Sequence, residues 1–307
     1  MRLFYLFLIS WTCGFSQAVD LSLDLNTGSS YPQHMKSKVH IKQHISGQDI
    51  EAIAQTQTDL IFKVRKQDNS IYQTEASYSN ISMDMQTNIN GKEMSLGRTK
   101  ELVNQGIEQI INNPFQVTIN SKGKIVKITP LDIIFEKAIR TIVKNNQKIQ
   151  PISKPQQEQT LEQLKKSFGV ETLTANLESL LTIFPKKRVQ IGEKWTISSF
   201  LSNGMNTLIT TEYILKEINP NYILISGKAN IHTENERVTL EQGQTIFFSM
   251  NGEILSTIKL DPKTKWIKQA QMKQVIKGNT RTVGDRSHPE GITIPIDTTS
   301  EITIDNQ

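Results

Sequence analysis

The N-terminal part of the chain alternates buried-type and polar positions with a period of two, most clearly at 60–65 and 81–86. Because successive side chains of a strand point to opposite faces, this period predicts strands with one buried face. Turn-forming residues separate the runs at the spacing of antiparallel hairpins; they lie at 46–47, 67–70 and 90–91. We therefore predict a meander of long strands over residues 19–94.

The middle of the chain changes to the period of a helix. Apolar residues recur every three or four positions within 102–111, 131–143 and 161–184, which predicts amphipathic helices. Thr129 is a suitable N-cap for the second helix, and Pro130 fits its first position.

The third helical stretch contains a predicted break. It follows Ser153 and Pro155, pauses at Gly169 and ends at Pro185. The segment 147–159 is rich in Gln, Lys and Pro, a composition typical of an exposed connection or a mobile lid.

From Val189 the strand pattern returns and echoes the first half. A glycine turn leading to an aromatic residue occurs at 28–31 and again at 192–195. Two further likenesses follow in the same order, pairing 62–72 with 213–223 and 115–125 with 247–254. The shared order suggests two related β units. The alternative that these hairpins share only their turn residues stays open.

These patterns together predict an α+β fold. Long antiparallel strands form two related curved-sheet (half-barrel) units, with a helical insert between them. The predicted boundaries are a signal peptide at 1–18, a first β unit at 19–98, a helical insert at 99–184 with a β-hairpin near 115–128, and a second β unit at 185–307.

The first eighteen residues have the features of a signal peptide. Arg2 gives a positive start, the apolar run 3–9 is too short to span a bilayer, and 16–18 offers a small-x-small cleavage site. We therefore expect an exported protein, periplasmic or secreted, whose mature chain begins near Val19.

Composition limits the partners and the sources of stability. The only cysteine, Cys13, lies in the leader, so a mature chain would depend on its hydrophobic core rather than on disulfides. The net charge of +5 is scattered along the chain, which is unlike a nucleic-acid interface. We therefore expect no nucleic-acid binding. No further apolar run is long enough to cross a bilayer, so we do not expect an integral membrane protein.

Side chains capable of catalysis or metal binding do not cluster in the sequence. His34, His40 and His44 share one face of a predicted strand with several lysines, and residues four apart on a strand lie about 13 Å from each other. We expect a solvated basic face rather than a metal site. Serine-hydrolase, phosphate-loop and calcium-loop motifs do not occur, so we predict no catalytic residues, no metal and no cofactor.

Several motifs of the second half resemble those of a known family. They are Gly192-Glu193-Lys194-Trp195, the run from Gly252 through Asp261-Pro262-Lys263-Thr264-Lys265-Trp266, and Lys277-Gly278-Asn279. The chain is similar to a family of uncharacterised exported proteins of Bacteroidota-type bacteria, in which a glycine usually stands where Lys265 lies. It also resembles the half-barrel fold of outer-membrane lipoprotein carriers. That resemblance implies an apolar cavity between a curved sheet and its helices, as an analogy of fold.

The helical insert between two sheets favours a binding function over a catalytic one. We expect a non-catalytic protein of the cell envelope that holds a lipid or another apolar small molecule. The residues predicted to line its cavity are Met83, Met85, Phe135, Ile139, Leu177, Leu181 and Phe247. One alternative is an envelope scaffold or protein-interaction module with a filled core, whose partner would be an envelope protein. Another is a hydrolase whose site is assembled from distant loops.

Overall fold

The computed structural model describes residues 18–95, 97–129, 131–201, 207–239, 245–283 and 291–306. The signal peptide prediction therefore lies almost entirely outside the described residues. The strands of the first half are β1 (Ser30–Ile45), β2 (Gln48–Asp68), β3 (Ile71–Ile89), β4 (Lys92–Met94), β5 (Phe115–Asn120) and β6 (Ile125–Thr129). Those of the second half are β7 (Lys194–Leu201), β8 (Thr207–Ile218), β9 (Ile223–Thr239), β10 (Thr245–Leu260), β11 (Ile267–Thr282) and β12 (Thr293–Asp305). The helices are α1 (Gly97–Ile110), α2 (Leu131–Asn146), α3 (Lys154–Phe168) and α4 (Val170–Leu181).

All of these strands belong to one open antiparallel sheet. Its order is β6-β5-β3-β2-β1-β12-β11-β10-β9-β8-β7, and β4 pairs with β3. The predicted α+β class with long antiparallel strands is confirmed. The two halves of the sheet are continuous with each other, because β1 pairs with β12 along a register that runs from Met35 opposite Ile304 to Gln43 opposite Ile296.

The helices begin and end where local chemistry favours it. The Ser153 hydroxyl accepts a hydrogen bond from the Gln156 backbone N–H, and the Gln156 side chain accepts one from the Ser153 backbone N–H, forming a capping box. Gly169 separates α3 from α4, as predicted. The expectation of a loop across 147–159 is wrong for its second half, since α3 begins at Lys154. Pro130, the predicted first residue of α2, lies outside the described residues.

The segment after the predicted cleavage site packs into the core but forms no strand of the sheet. Leu21, Leu23 and Leu25 are buried, as their alternation suggests, yet between 20 and 29 the backbone forms no strand. Some of its backbone hydrogen bonds go to turns: the Leu23 N–H donates to the Ser121 carbonyl at 2.8 Å, and the Asp24 N–H donates to the Thr264 carbonyl at 2.9 Å. The expectation of a strand from residue 19 onward is therefore wrong for residues 20–29. Side-chain burial alternates there, but no neighbouring strand pairs with this stretch of backbone.

The two glycine turns that suggested a repeat are built alike. Gly28 and Gly192 have φ angles of 87° and 86°. Their backbone N–H groups donate to Val64 and Leu215, at 2.8 and 2.7 Å respectively. Positive φ is accessible to glycine at little cost, which explains why glycine stands at both positions.

Trp266 connects the two halves of the sheet. Its Nε1–H donates to the Pro32 carbonyl at 2.8 Å, and its ring lies 5.5 Å from the rings of both Tyr31 and Phe62. The pairing of tryptophan with tyrosine and phenylalanine buries large apolar surfaces while it satisfies the indole N–H. All three rings belong to the main hydrophobic core.

The turn before Trp266 is held by the carboxylate of Asp261. Its Oδ1 accepts hydrogen bonds from the backbone N–H groups of Thr264 and Lys263, at 2.8 and 3.0 Å. Lys265 has a φ of 59°, the left-handed region in which the resemblance leads one to expect glycine. Partial burial raises the pKa of Asp261, but the hydrogen bonds from Thr264 and Lys263 outweigh it and hold the pKa below its ordinary value.

We expect Asp261→Ala to lower the free energy of unfolding by about 1 kcal/mol near neutral pH, because the turn loses charge-assisted hydrogen bonds at a partly buried site. A carboxylate whose pKa is depressed on folding stabilises the protein above its unfolded pKa and loses that effect as pH falls through the folded pKa. The difference between Asp261→Ala and the native chain should therefore shrink as urea unfolding is measured down to about pH 3. Asp261→Asn, which keeps an acceptor oxygen without a titrating group, is the control. An equal difference at every pH would contradict this account.

Candidate functional site

A cavity of about 490 Å³ lies between the sheet and α4. Its walls are one face of β1, β7, β8, β10, β11 and β12, and α4 contributes Ala175, Asn176, Glu178 and Ser179. We call this face of the sheet the inner face. Its apolar lining residues include Met35, Ile197, Tyr213, Met250, Met272 and Ile302.

The lining of this large cavity is almost free of charge. Glu178 is the single charged residue among its lining residues, and the Glu178 Oε1 accepts a hydrogen bond from the Ile125 backbone N–H at 3.0 Å. Burial raises the pKa of Tyr213 to about 12, so its phenol stays neutral. An ionic ligand would find no cation among the lining residues, whereas an apolar or neutral molecule needs none.

Gly227 leaves room for the Tyr213 ring, which lines this cavity. At Gly227 in β9, a Cβ atom would lie 2.6 Å from the Tyr213 ring. The register places Gly227 directly opposite both Tyr213 and Ser256. Glycine therefore lets the Tyr213 ring lie close against the sheet instead of projecting into the cavity.

A second cavity of about 240 Å³ adjoins the first. It lies under the end of α3 and the start of α4, over β1, β2 and β3, and Leu60, Tyr78, Met83, Phe168 and Leu177 are among its lining residues. Met35, Ser37, Val39 and Asn176 line both cavities. The two spaces therefore meet along β1 beneath α4.

The outer face of the same strands is charged and internally paired. Lys277 and Asp297 form an ion pair at 3.0 Å, and Lys228 pairs with Glu253. Exposed pairs of this kind contribute little stability. They make the outer face well solvated, in contrast to the uncharged inner face.

The three histidines of β1 lie on this outer face beside carboxylates of β2. His34 contacts Asp59 at 2.9 Å, and His44 contacts Asp49 at 2.7 Å. The hydrogen bond from His40 is the main reason that the pKa of Glu51 lies below its ordinary value. The predicted basic face of β1 is therefore paired with carboxylates, which β2 supplies and the sequence of β1 lacks. Among the described residues, no three His, Cys, Asp or Glu side chains form a group that could hold a metal ion.

The residues predicted to line one cavity lie in several places. Met83 and Leu177 line the 240 Å³ cavity. Phe135 and Leu181 are buried in the core, each 1% exposed. Ile139 lines a separate groove of about 420 Å³ between α2 and residues 151–157.

Met85 and Phe247 lie outside both cavities of the inner face. Met85 is half-buried on β3 opposite Ala54. Phe247 lies under the Arg281 guanidinium, 4.9 Å from the ring centre. It is out of phase with Met250, which does line the large cavity. The period of two along β10 was the signal that could have favoured Phe248 and Met250 over Phe247.

The lining residues predicted from the sequence include none from β1 or β12, although both strands contribute to the large cavity. Met35, Val39 and Ile302 line it, and their alternation with polar neighbours was visible in the sequence. That β1 and β12 lie side by side was not visible, because the two strands stand at opposite ends of the chain.

No helix of the described residues combines the length and the apolar character needed to span a membrane. No curated protein matches the chain. The structure has a TM-score of 0.48 and 11% identity with the structure titled "lipid-protein interactions in lipovitellin", over 92% of this chain and 25% of that one. The chain thus spans a quarter of that protein's length.

Two further solved structures are similar over most of the chain. DynF from the dynemicin biosynthesis pathway of Micromonospora chersina matches with a TM-score of 0.21 and 7% identity, over 94% of this chain and 85% of that one. The beta domain of the Bordetella autotransporter BrkA matches with a TM-score of 0.23 and 7% identity, over 91% and 99%. The model of one protein family, described as a family of unknown function (DUF6263), matches residues 69–267. The chain belongs to this family of unknown function.

Proposed function

We propose that this chain is an exported, non-catalytic binding protein of the cell envelope that holds an apolar, lipid-like molecule between its sheet and α4. The observation that carries the proposal is the cavity of about 490 Å³ with a single charged residue in its lining. Its volume falls within the range of about 300–1,000 Å³ that is typical of small-molecule sites.

The lining of the cavity suits a flexible hydrocarbon better than a polar metabolite. Its polar lining groups are hydroxyls and amides of residues such as Ser37, Thr298 and Ser300, spread among isoleucines and methionines. Burying apolar ligand surface there contributes roughly 0.8 kcal/mol for each methylene group. Met35, Met250 and Met272 can adapt to ligands of different shapes, because the thioether side chain is unbranched and flexible.

The proposed export rests on the leader-like sequence of residues 1–18. Cleavage after Ala18 would leave Val19 as the first residue, and Val19 forms an antiparallel bridge with Val189, with N···O distances of 2.9 and 3.0 Å. A mature chain that starts at this residue would keep every described contact of the core. We place the protein in the periplasm or outside the cell on the basis of this leader.

A direct test is to titrate the purified chain with N-phenylnaphthylamine, whose fluorescence rises when it leaves water. We expect saturable binding of one equivalent, with competition by long-chain lipids and no competition by sugars or amino acids. The urea-unfolded chain is the control for nonspecific adsorption. Fluorescence that rises without saturation, or that is equal for the unfolded chain, would contradict the proposal.

The scaffold alternative makes a different prediction about the surface. It requires a contiguous exposed apolar patch. Exposed large apolar residues of the described part lie on separate elements, such as Ile61 on β2, Ile133 on α2 and Leu255 on β10. This scatter favours the cavity over the outer surface as the functional site.

A further inference from the structure

Two polar side chains that make no side-chain hydrogen bond with another described residue line the smaller cavity. Gln33 is only 4% exposed, and its Oε1 has no hydrogen-bond partner among the described residues. Leaving a buried acceptor unpaired is unfavourable, and native cores seldom do so without a reason. Gln33 lines the 240 Å³ cavity, so a molecule in that space is positioned to pair with its amide.

Tyr78 is the second polar side chain that lines this cavity. It is also 4% exposed, and its ring packs 5.8 Å from Phe115 and 6.3 Å from Phe168. Burial is the cause that raises the pKa of Tyr78, and no hydrogen bond of its hydroxyl occurs within the described part of the chain. Tyr72 on the same strand differs, since its hydroxyl donates to the Leu23 carbonyl at 2.8 Å.

The sheet register places the two side chains in one row. Gln33 lies opposite Leu60, and Leu60 lies opposite Tyr78. Strand spacing puts the Cα atoms of Gln33 and Tyr78 about 10 Å apart, on the same face. Gln33, Leu60 and Tyr78 all line the cavity.

The side chains of Gln33 and Tyr78 together favour a ligand group that is neutral and both donates and accepts hydrogen bonds. An amide oxygen needs a donor, while a phenol hydroxyl needs an acceptor. The cavity has no charged residue among its lining residues, so a carboxylate or phosphate would be buried without a counter-charge. An aliphatic hydroxyl fulfils both requirements without charge.

We propose that Gln33 and Tyr78 bind the hydroxyl group of a neutral, alcohol-bearing lipid. This subsite rests on the proposed apolar binding function. The hydrocarbon chain then passes Met35 and Val39, which line both cavities, and occupies the larger space under α4. The ligand class is thereby narrowed to neutral lipids whose buried polar group both donates and accepts hydrogen bonds, with a long-chain alcohol as the simplest example.

The test compares dodecanol with dodecyl methyl ether as competitors of bound N-phenylnaphthylamine. The two differ in one hydrogen-bond donor and share the hydrocarbon chain. We expect the native protein to prefer the alcohol by roughly three- to tenfold, the net value of a hydrogen bond. Gln33→Leu and Tyr78→Phe should each reduce that preference towards one, while the affinity for the ether changes little.

Tyr72→Phe is the matched control, since it removes a hydroxyl that is already paired within the protein. It should lower the melting temperature and leave the alcohol preference intact. Tyr78→Phe should leave the melting temperature of the ligand-free protein unchanged or raised. This contrast separates a ligand-binding hydroxyl from a structural one.

Three outcomes would overturn the subsite. They are equal competition by alcohol and ether in the native protein, equal losses for both competitors in the variants, and an unchanged alcohol preference in both variants, as expected if water alone pairs with these groups. Each leaves the apolar site itself in place, provided that the probe binds saturably. Failure of the probe to bind the native protein would instead reject the proposed function.

Discussion

Ser300→Trp is expected to lower the affinity for N-phenylnaphthylamine at least tenfold without unfolding the protein. Ser300 lies on the inner face of β12 opposite Val39 and Gln274, and it lines the large cavity. An indole at this position would occupy space that the proposal assigns to the ligand. Displacing two methylene groups, each worth about 0.8 kcal/mol, already corresponds to roughly a tenfold change.

The matched control is Thr299→Trp, one residue earlier on the same strand. Thr299 is exposed, and adjacent residues of a strand point to opposite faces. This variant adds the same side chain to the outer face and should bind the probe as the native protein does. Equal affinities for the two variants, with both folded by circular dichroism, would show that the probe binds elsewhere.

Gly123→Ala is expected to be the most destabilising small substitution at a turn. Gly123 has a φ of 81° in the turn between β5 and β6, and a Cβ atom there would overlap the backbone carbonyl group of Leu181 at the end of α4. The left-handed conformation costs a residue with a Cβ about 1–2 kcal/mol, and overpacking adds about 1–3 kcal/mol. We expect a loss of roughly 2–5 kcal/mol in the free energy of unfolding by urea.

Gly91→Ala separates these two contributions. Gly91 has a φ of 76°, and nothing lies within 4 Å of the position of its Cβ. It should lose only the conformational part, about 1–2 kcal/mol. Equal losses for Gly91→Ala and Gly123→Ala would mean that the close approach of α4 to this turn contributes nothing.

The turn at Gly123 also positions α4, the helix that covers the large cavity. The Thr182 hydroxyl donates to the Gly123 carbonyl at 3.3 Å, and Glu178 accepts from the Ile125 N–H. Both contacts hold the C-terminal end of α4 against β6. Because α4 covers the large cavity, the packing that stabilises this corner also fixes the space available to a ligand.

The sequence predicted the elements of the fold better than their arrangement. The period of two along β2 and the helical period before Pro185 were sufficient to predict strands and helices, because both depend on neighbours in the chain. Ser153 and Gly169 likewise marked helix ends through local backbone chemistry. The pairing of β1 with β12 depends on a contact across almost the whole chain, which no local pattern encodes.

The site could be predicted only in part, for the same reason. Met83 and Met85 have the same parity on β3, but only Met83 lines the space beneath the helices. The strand β3 continues beyond the helices, and Met85 lies on that part of it. Gln33 was not singled out, since a lone glutamine on a strand has no signature in sequence. Its lack of a partner emerges only when β2, β3 and the helices are packed around it.

The most direct test of the central claim is native mass spectrometry of the chain purified without detergent, before and after extraction with organic solvent. We expect a mass excess equal to one neutral lipid molecule, lost on extraction, restored on incubation with envelope lipids, and not acquired by Ser300→Trp. A native mass equal to that of the bare chain, unchanged after incubation with those lipids, would contradict the assignment of the inner-face cavity as a lipid-binding site.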